Sequence, residues 1–268
     1  MSFPLLVLFV LLAMAAVMST GWFVQRAAGN AGWVDVFWTF GTGATCALTA
    51  LAPRPGAAGP DGRQLLVAAL VALWSIRLGV YVARRVATSR EDVRYTELRR
   101  EWGAGFQTRM IPLMLVQAPA TALLSVSVIL AARAPHGPLG LRDALGALVL
   151  LAAVAGEGLA DEQMKRFKAA DPPKDAVCEE GMWGWSRHPN YVFEWLGWAA
   201  YPVIGLDLAR PGSFWTVLSL LVMYLILRFV TGVPPLEAAM VRSKGDAYRA
   251  YQDRVGVFFP TRFRGGRA

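Results

Sequence analysis

The chain has 268 residues, 55% of them hydrophobic and 17% charged, with 10 tryptophans and a formal net charge of +8. That profile excludes an ordinary soluble domain and marks an integral membrane protein. In a chain this apolar, the positive-inside rule and anionic lipid explain the basic excess better than nucleic acid does. Of the two cysteines, Cys46 lies in an apolar run and Cys178 in a charged loop. They give no disulfide framework, and with two scattered histidines they give no metal-ligand spacing.

Seven apolar runs follow one another at 3–18, 33–51, 65–83, 110–132, 141–159, 192–208 and 214–233. The first lacks the basic leader of a cleaved signal peptide and reads as a membrane helix. The second is closed by Pro53-Arg54-Pro55-Gly56. The fourth carries Pro112 and Pro119, which are expected to kink it. The last is expected to end at Pro234-Pro235. Each run approaches the roughly 20 residues that cross hydrocarbon. The fold expected is all-α: one membrane domain over 1–268, a bundle of seven transmembrane helices with a C-terminal amphipathic segment. With the N-terminus outside, 20 of the 27 Lys and Arg residues fall on the cytoplasmic side and five outside. That asymmetry predicts a cytoplasmic C-terminus. The polar loops 84–109 and 161–187 and the tail 236–259 are then cytoplasmic, the tail with Tyr248 and Tyr251 three apart.

Charged residues inside apolar runs are costly and usually face a bundle interior. Asp35 stands near the start of the second run and Arg77 in the third. Two readings are open for them: a buried ion pair joining two helices, or a catalytic or ligand-anchoring carboxylate beside a cation. Arg228, near the end of the seventh run, either snorkels to the interface or serves a site. The densest polar cluster is Arg187-His188-Pro189-Asn190-Tyr191, followed by Glu194, at the mouth of the sixth run. A basic anchor on lipid phosphate would explain Arg187 and His188 alone. Pro189 opens a helix, and a helix N-terminus flanked by Arg and His is suited to a phosphate. Lys165, Arg166 and Lys168 add positive charge. Tyr248 and Tyr251 read as packing residues, and His136 is given no role.

Arg187-His-Pro-Asn-Tyr191, Glu194, Arg228, Pro234-Pro-Leu-Glu237 and Tyr248-Arg-Ala-Tyr251 followed by Phe259-Pro260 resemble the C-terminal half of the steroid 5α-reductase superfamily. Gly32-Trp-Val-Asp-Val-Phe-Trp38, Trp74-Ser-Ile-Arg-Leu78 and Glu91-Asp-Val-Arg-Tyr95 resemble its bacterial branch of membrane proteins. Isoprenylcysteine carboxyl methyltransferases share similar C-terminal motifs. The resemblance implies a reductase in a bacterial-type inner membrane, with NADPH at the cytoplasmic side and a lipophilic enone or alkene entering from the bilayer. It assigns Asp161, Lys168, Arg187, His188, Asn190, Tyr191, Glu194 and Arg228 to the cofactor, and Asp35, Trp74 and Arg77 to catalysis.

The chain departs from the steroid enzymes where Val34-Asp35 replaces a Gln-Glu pair and Trp74 replaces a tyrosine. An indole N–H can donate a hydrogen bond but cannot release a proton. The acid is therefore a protonated Asp35, a substitute such as Tyr81 or Tyr95, or the chemistry differs. The alternatives are an S-adenosylmethionine-dependent membrane methyltransferase, in which Arg187, His188, Tyr191 and Glu194 hold the methyl donor, and a non-enzymatic membrane protein.

Overall fold

The computed structural model describes residues 1–54, 56–89, 91–135 and 137–260. Outside the described residues lie Pro55 in its expected turn, His136, and four arginines counted as cytoplasmic: Arg90, Arg262, Arg264 and Arg267.

The described residues are helical and contain no strand. In chain order the α-helices are α1 (Phe3–Ala28), α2 (Trp33–Leu51), α3 (Gly62–Thr88), α4 (Val93–Trp102), α5 (Phe106–Leu115), α6 (Gln117–Ala132), α7 (Leu141–Ala169), α8 (Pro189–Gly197), α9 (Ala200–Gly205), α10 (Leu218–Leu225), α11 (Val233–Lys244) and α12 (Asp246–Arg254). Among the described residues, five helical stretches are long and apolar enough to cross a membrane: Phe3–Ala28, Gly62–Thr88, Val93–Ala132, Leu141–Ala169 and Pro211–Lys244. The chain is thus a multi-pass membrane protein by length and composition. Leu5, Leu8, Leu12 and Phe23 leave an apolar face of α1 exposed, as a lipid-facing helix requires.

Several boundaries differ from the sequence expectation, each for a local reason. Helix α1 runs ten residues past Met18 and stops at Gly29, whose φ of 66° is the left-handed conformation that ends helices. The expected span 192–208 is not one helix. It breaks at Trp198–Ala199 into α8 and α9, because Pro202 has no N–H for the Trp198 carbonyl and its ring crowds that oxygen. Ser219 Oγ donates to the same carbonyl at 3.5 Å. The run 110–132 divides at Val116 into α5 and α6, where Pro119 withholds the next donor. Pro234 and Pro235 do not end a helix. They occupy the first turn of α11, where no intrahelical donor is missed. As expected, α7 continues into its charged extension as far as Ala169.

The chain packs as two compact units. Unit one is 1–150 with 198–223, and unit two is 151–197 with 224–268. In unit one, α2 is the inner helix. Its threonines bond back to its own carbonyls: Thr39 to Asp35, Thr45 to Gly41 and Thr49 to Thr45, at 2.7–3.0 Å. These polar and small residues suit a helix surrounded by helices rather than by lipid. Ser75 of α3 lies so close to Gly43 that a Cβ there would stand 2.1 Å away, and Ser75 Oγ donates to the Thr39 carbonyl at 3.0 Å. Below this crossing Val10, Met14 and Met18 of α1 pack with Val34, Tyr95, Phe106, Met110 and Met114.

In unit two, α7 and α8 cross at Gly156. A Cβ at that position would come within 2.4 Å of the Phe193 ring. Gly156→Ala should therefore lower the thermal stability of the purified protein by about 1–3 kcal/mol, and Phe193→Leu in the same chain should recover part of the loss. Two independent, additive losses would show that this crossing is not the close contact described.

Candidate functional site

The polar cluster of unit two is built around Glu237, in the first half of α11. Arg187 Nε donates to Glu237 Oε1 at 2.7 Å and Nη2 to Oε2 at 3.3 Å. His188 Nε2 lies 3.0 Å from Oε1, and Gln252 Nε2 donates to Oε2 at 2.8 Å. A carboxylate can only accept, so the His188 proton is on Nε2. Arg187 Nη1 also reaches the carbonyls of Gln252 and Val255. Its backbone N–H donates to Gly256 O at 2.9 Å, and Ser186 Oγ donates to Val257 O at 2.9 Å. The segment before α8, the middle of α11 and the chain after α12 are thereby tied together.

Tyr251 adds a second tie. Its hydroxyl donates to the Trp183 carbonyl at 2.6 Å, while Trp183 Nε1 donates to Ala160 O of α7 at 3.0 Å. Tyr248 and Tyr251 pack edge to face inside this corner, which is the packing role expected of them.

Arg187 and His188 are buried, at 8% and 2% exposure, and their polar atoms are engaged by the protein itself. Through Glu237 both side chains hold the frame together. Burial holds the His188 imidazole below its ordinary pKa, with Glu237 opposing and the charges of Arg187 and Arg228 adding to the depression. His188 is therefore neutral near pH 7.

Further polar groups of unit two stand near the start of α8, in the π-turn before α11 and on α7. Asn190, in the first turn of α8, is half-buried and its amide makes no hydrogen bond among the described residues. Tyr191 stacks on His188 at 5.4 Å and 9°. Arg228 makes no ion pair among the described residues, yet its charge is felt at His188. It sits in a single π-turn, Ile226–Val230, a local widening that re-aims side chains and is common at functional sites. The turn closes on Gly232, where a Cβ would meet the Leu227 carbonyl at 2.4 Å. Asp161 and Glu194 are buried on α7 and α8, and Lys168 is exposed in the last turn of α7.

In unit one, Asp35 does not pair with Arg77. Its Oδ2 accepts from Arg94 Nη2 at 2.8 Å, and its Oδ1 accepts from the Tyr95 hydroxyl at 2.8 Å. Arg94 is shared with Asp92 through Nε at 3.0 Å and Nη2 at 3.1 Å. Glu91 accepts from the Ala31 N–H at 2.8 Å, at the start of α2, and pairs with Arg99. The α3–α4 connection thus lays Glu91 against the positive end of α2, while Asp92 caps α4 and holds Arg94. Asp35 opens α2, and Arg94 and Tyr95 open α4 within reach of its carboxylate. Arg77 instead lies over the Tyr81 ring, 5.5 Å from its centroid. Trp74 is buried between Trp38 at 6.2 Å and Trp198 at 5.1 Å, edge to face with both. That stack begins one helical turn along α2 from Asp35.

The family described as "Protein of unknown function (DUF1295)" matches residues 21–255. The chain belongs to this family. The side chains of the Glu237 frame and of the Asp35 cluster lie inside the DUF1295 match, which ends at residue 255, just before the Gly256 and Val257 carbonyls. One curated relative is the "Uncharacterized protein C594.04c" of Schizosaccharomyces pombe, 35% identical over 80 residues. The match takes in 30% of this chain and 22% of the relative's length. No solved structure matches the chain.

Glu237→Gln leaves the buried Arg187 cation without its counter-charge and should destabilise the protein by about 3–5 kcal/mol, read as a lowered melting temperature in detergent. The pH dependence has a defined sign. A histidine whose folded pKa is depressed stabilises the fold fully above its unfolded value of about 6.5, and that contribution is lost as pH falls through the folded value. Burial works against ionisation of Asp92, but Arg94 and Arg85 overcome it and hold its carboxyl at about 2. That contribution is lost only as pH falls from about 4 to about 2. The melting temperature should drop between pH 7 and 5, and His188→Gln should flatten this slope. An unchanged slope in that variant would remove His188 as its source.

Proposed function

We propose that this protein is a membrane-embedded, NADPH-dependent reductase of a lipophilic enone or alkene. The observation that carries the proposal is the Asp35–Tyr95 hydrogen bond, braced by Arg94. Trp74 cannot release a proton, and Tyr95 supplies a phenol that can. Bound NADPH would supply a hydride to the β-carbon of the substrate double bond. As the double-bond electrons move onto the carbonyl oxygen, the Tyr95 hydroxyl would turn its proton from Asp35 to that oxygen and give the enol. Asp35 and Arg94 hold the phenol in place; the enol O–H returns its proton to the Tyr95 phenolate as the carbonyl re-forms, and the α-carbon takes its proton from water, leaving hydroxide to the solvent.

In unit two, Asn190, Tyr191, Arg228 and Lys168 would hold the cofactor. The half-buried amide and a guanidinium that no carboxylate among the described residues takes are what fit an anionic nucleotide there. Arg187, His188 and Glu237 hold the segments on which these residues stand.

We further propose seven spans, with α2 and the α8–α9 pair added to the five long stretches. The 19 residues of α2 reach about 28 Å at 1.5 Å per residue, close to the hydrocarbon thickness. The N-terminus is then outside, and the loops carrying Arg187 and Arg94 face the cytoplasm of a bacterial-type inner membrane.

Thermal unfolding of the purified protein with NADPH and with S-adenosylmethionine tests the reading. At 100 times its dissociation constant, NADPH should stabilise by about 2.7 kcal/mol. Stabilisation by the methyl donor alone would replace the reductase with a methyltransferase. Tyr95→Phe should leave NADPH binding in place and slow turnover about 10²–10⁴-fold. Full turnover in that variant would remove Tyr95 from the chemistry.

A further inference from the structure

At the end of unit one far from Asp35, α1 and α3 begin and α2 and α6 stop. Two arginines meet there. Arg54, just beyond α2, donates from Nη2 to the Ala132 carbonyl at 2.7 Å and pairs through Nη1 with Asp61 at 2.7 Å. Arg133, at the end of α6, donates to Met1 O at 3.2 Å and to Ala52 O at 3.4 Å. Both guanidinium groups cap the last carbonyls of helices, a common use of arginine. Capping does not exhaust them. Among the described residues the Nε of each is buried and has no hydrogen-bond partner, a costly state for a cationic donor. Two guanidinium charges are answered by one carboxylate, Asp61. Burial, and then the neighbouring charge of Arg54, both lower the Arg133 pKa. An anion at this corner would reverse both penalties.

Beside the arginines runs an apolar groove of about 300 Å³, lined by Phe3, Val126, Leu130, Gly212, Trp215 and Leu218. Leu130 is three residues before Arg133 and Phe3 two residues after Met1, so the groove starts where the cations are. Leu6, Ala52 and Ile129 pack together beneath this junction and fix it. Trp215 and Phe214 stand exposed at the rim, as aromatic side chains do at a membrane interface.

We propose that this corner binds one anionic phospholipid, its phosphate on Arg54 and Arg133 and an acyl chain in the groove. A small turn of either guanidinium towards the phosphate would give its orphan N–H an acceptor, and the groove selects a ligand whose charge is attached to hydrocarbon. The inference is independent of the proposed reductase activity, because no residue of the Asp35 or Glu237 clusters takes part.

Native mass spectrometry of the full-length protein, delipidated in neutral detergent, tests it with phosphatidylglycerol and phosphatidylcholine of equal chain length. Phosphatidylglycerol should be retained at least fivefold more. Arg54→Gln with Arg133→Gln should reduce it to the phosphatidylcholine level. Leu130→Trp, which fills the groove and leaves both cations in place, should do the same. Inorganic phosphate should neither compete at millimolar concentration nor raise the melting temperature as the lipid does. Equal retention of the two lipids, retention unmoved by both variants, or protection by phosphate matching that of the lipid would overturn the proposal.

Discussion

A buried guanidinium must be answered by the protein around it, and in unit two Glu237 answers Arg187. The cost of leaving such a charge alone exceeds what most single contacts return, so the groups that satisfy it constrain everything nearby. Glu237 also takes His188 and Gln252, and the Arg187 head reaches two further carbonyls. Three segments far apart in sequence are fastened at one point. The helix α8 begins at that point, and the first turn of α8 carries Asn190 and Tyr191.

This divides a motif that reads as one cluster into two kinds of residue. Arg187 and His188 are engaged inside the frame. Asn190 and Arg228 take no part in it among the described residues. Burial first, with the charges of Arg187 and Arg228 adding to it, keeps the His188 imidazole neutral. Unit one has the same logic on a smaller scale. Asp92 fixes Arg94, Arg94 fixes Asp35, and Asp35 holds the Tyr95 hydroxyl.

The sequence made the helical membrane architecture legible because apolar runs of about 20 residues have few other uses. It also revealed the Arg187–Glu194 cluster, since polar groups beside such runs demand partners. What it could not supply was the partner. Arg187 and Glu237 are 50 residues apart, and only the fold joins them, although two cations in search of a carboxylate and a glutamate after Pro-Pro-Leu were both visible. An ion pair of Asp35 with Arg77 was one of two readings open to charges inside neighbouring apolar runs. A charged loop folding back as α4 placed Arg94 closer. The break at Trp198 was legible in Pro202, but the run of apolar residues around it suggested continuity. The hydrogen bond of Tyr95 to Asp35 is one that no spacing reveals.

The central claim is that Arg228 belongs to a nucleotide site and Arg187 to the frame beneath it. Excitation transfer from tryptophan to bound nicotinamide, titrated with NADPH in wild-type, Arg228→Gln and Arg187→Gln protein, measures this directly. The account predicts saturable transfer in the wild type, and at least a tenfold weaker dissociation constant in Arg228→Gln at an unchanged ligand-free melting temperature. It predicts a lowered melting temperature in Arg187→Gln. No saturable transfer in the wild type, or equal affinity in Arg228→Gln, would contradict it.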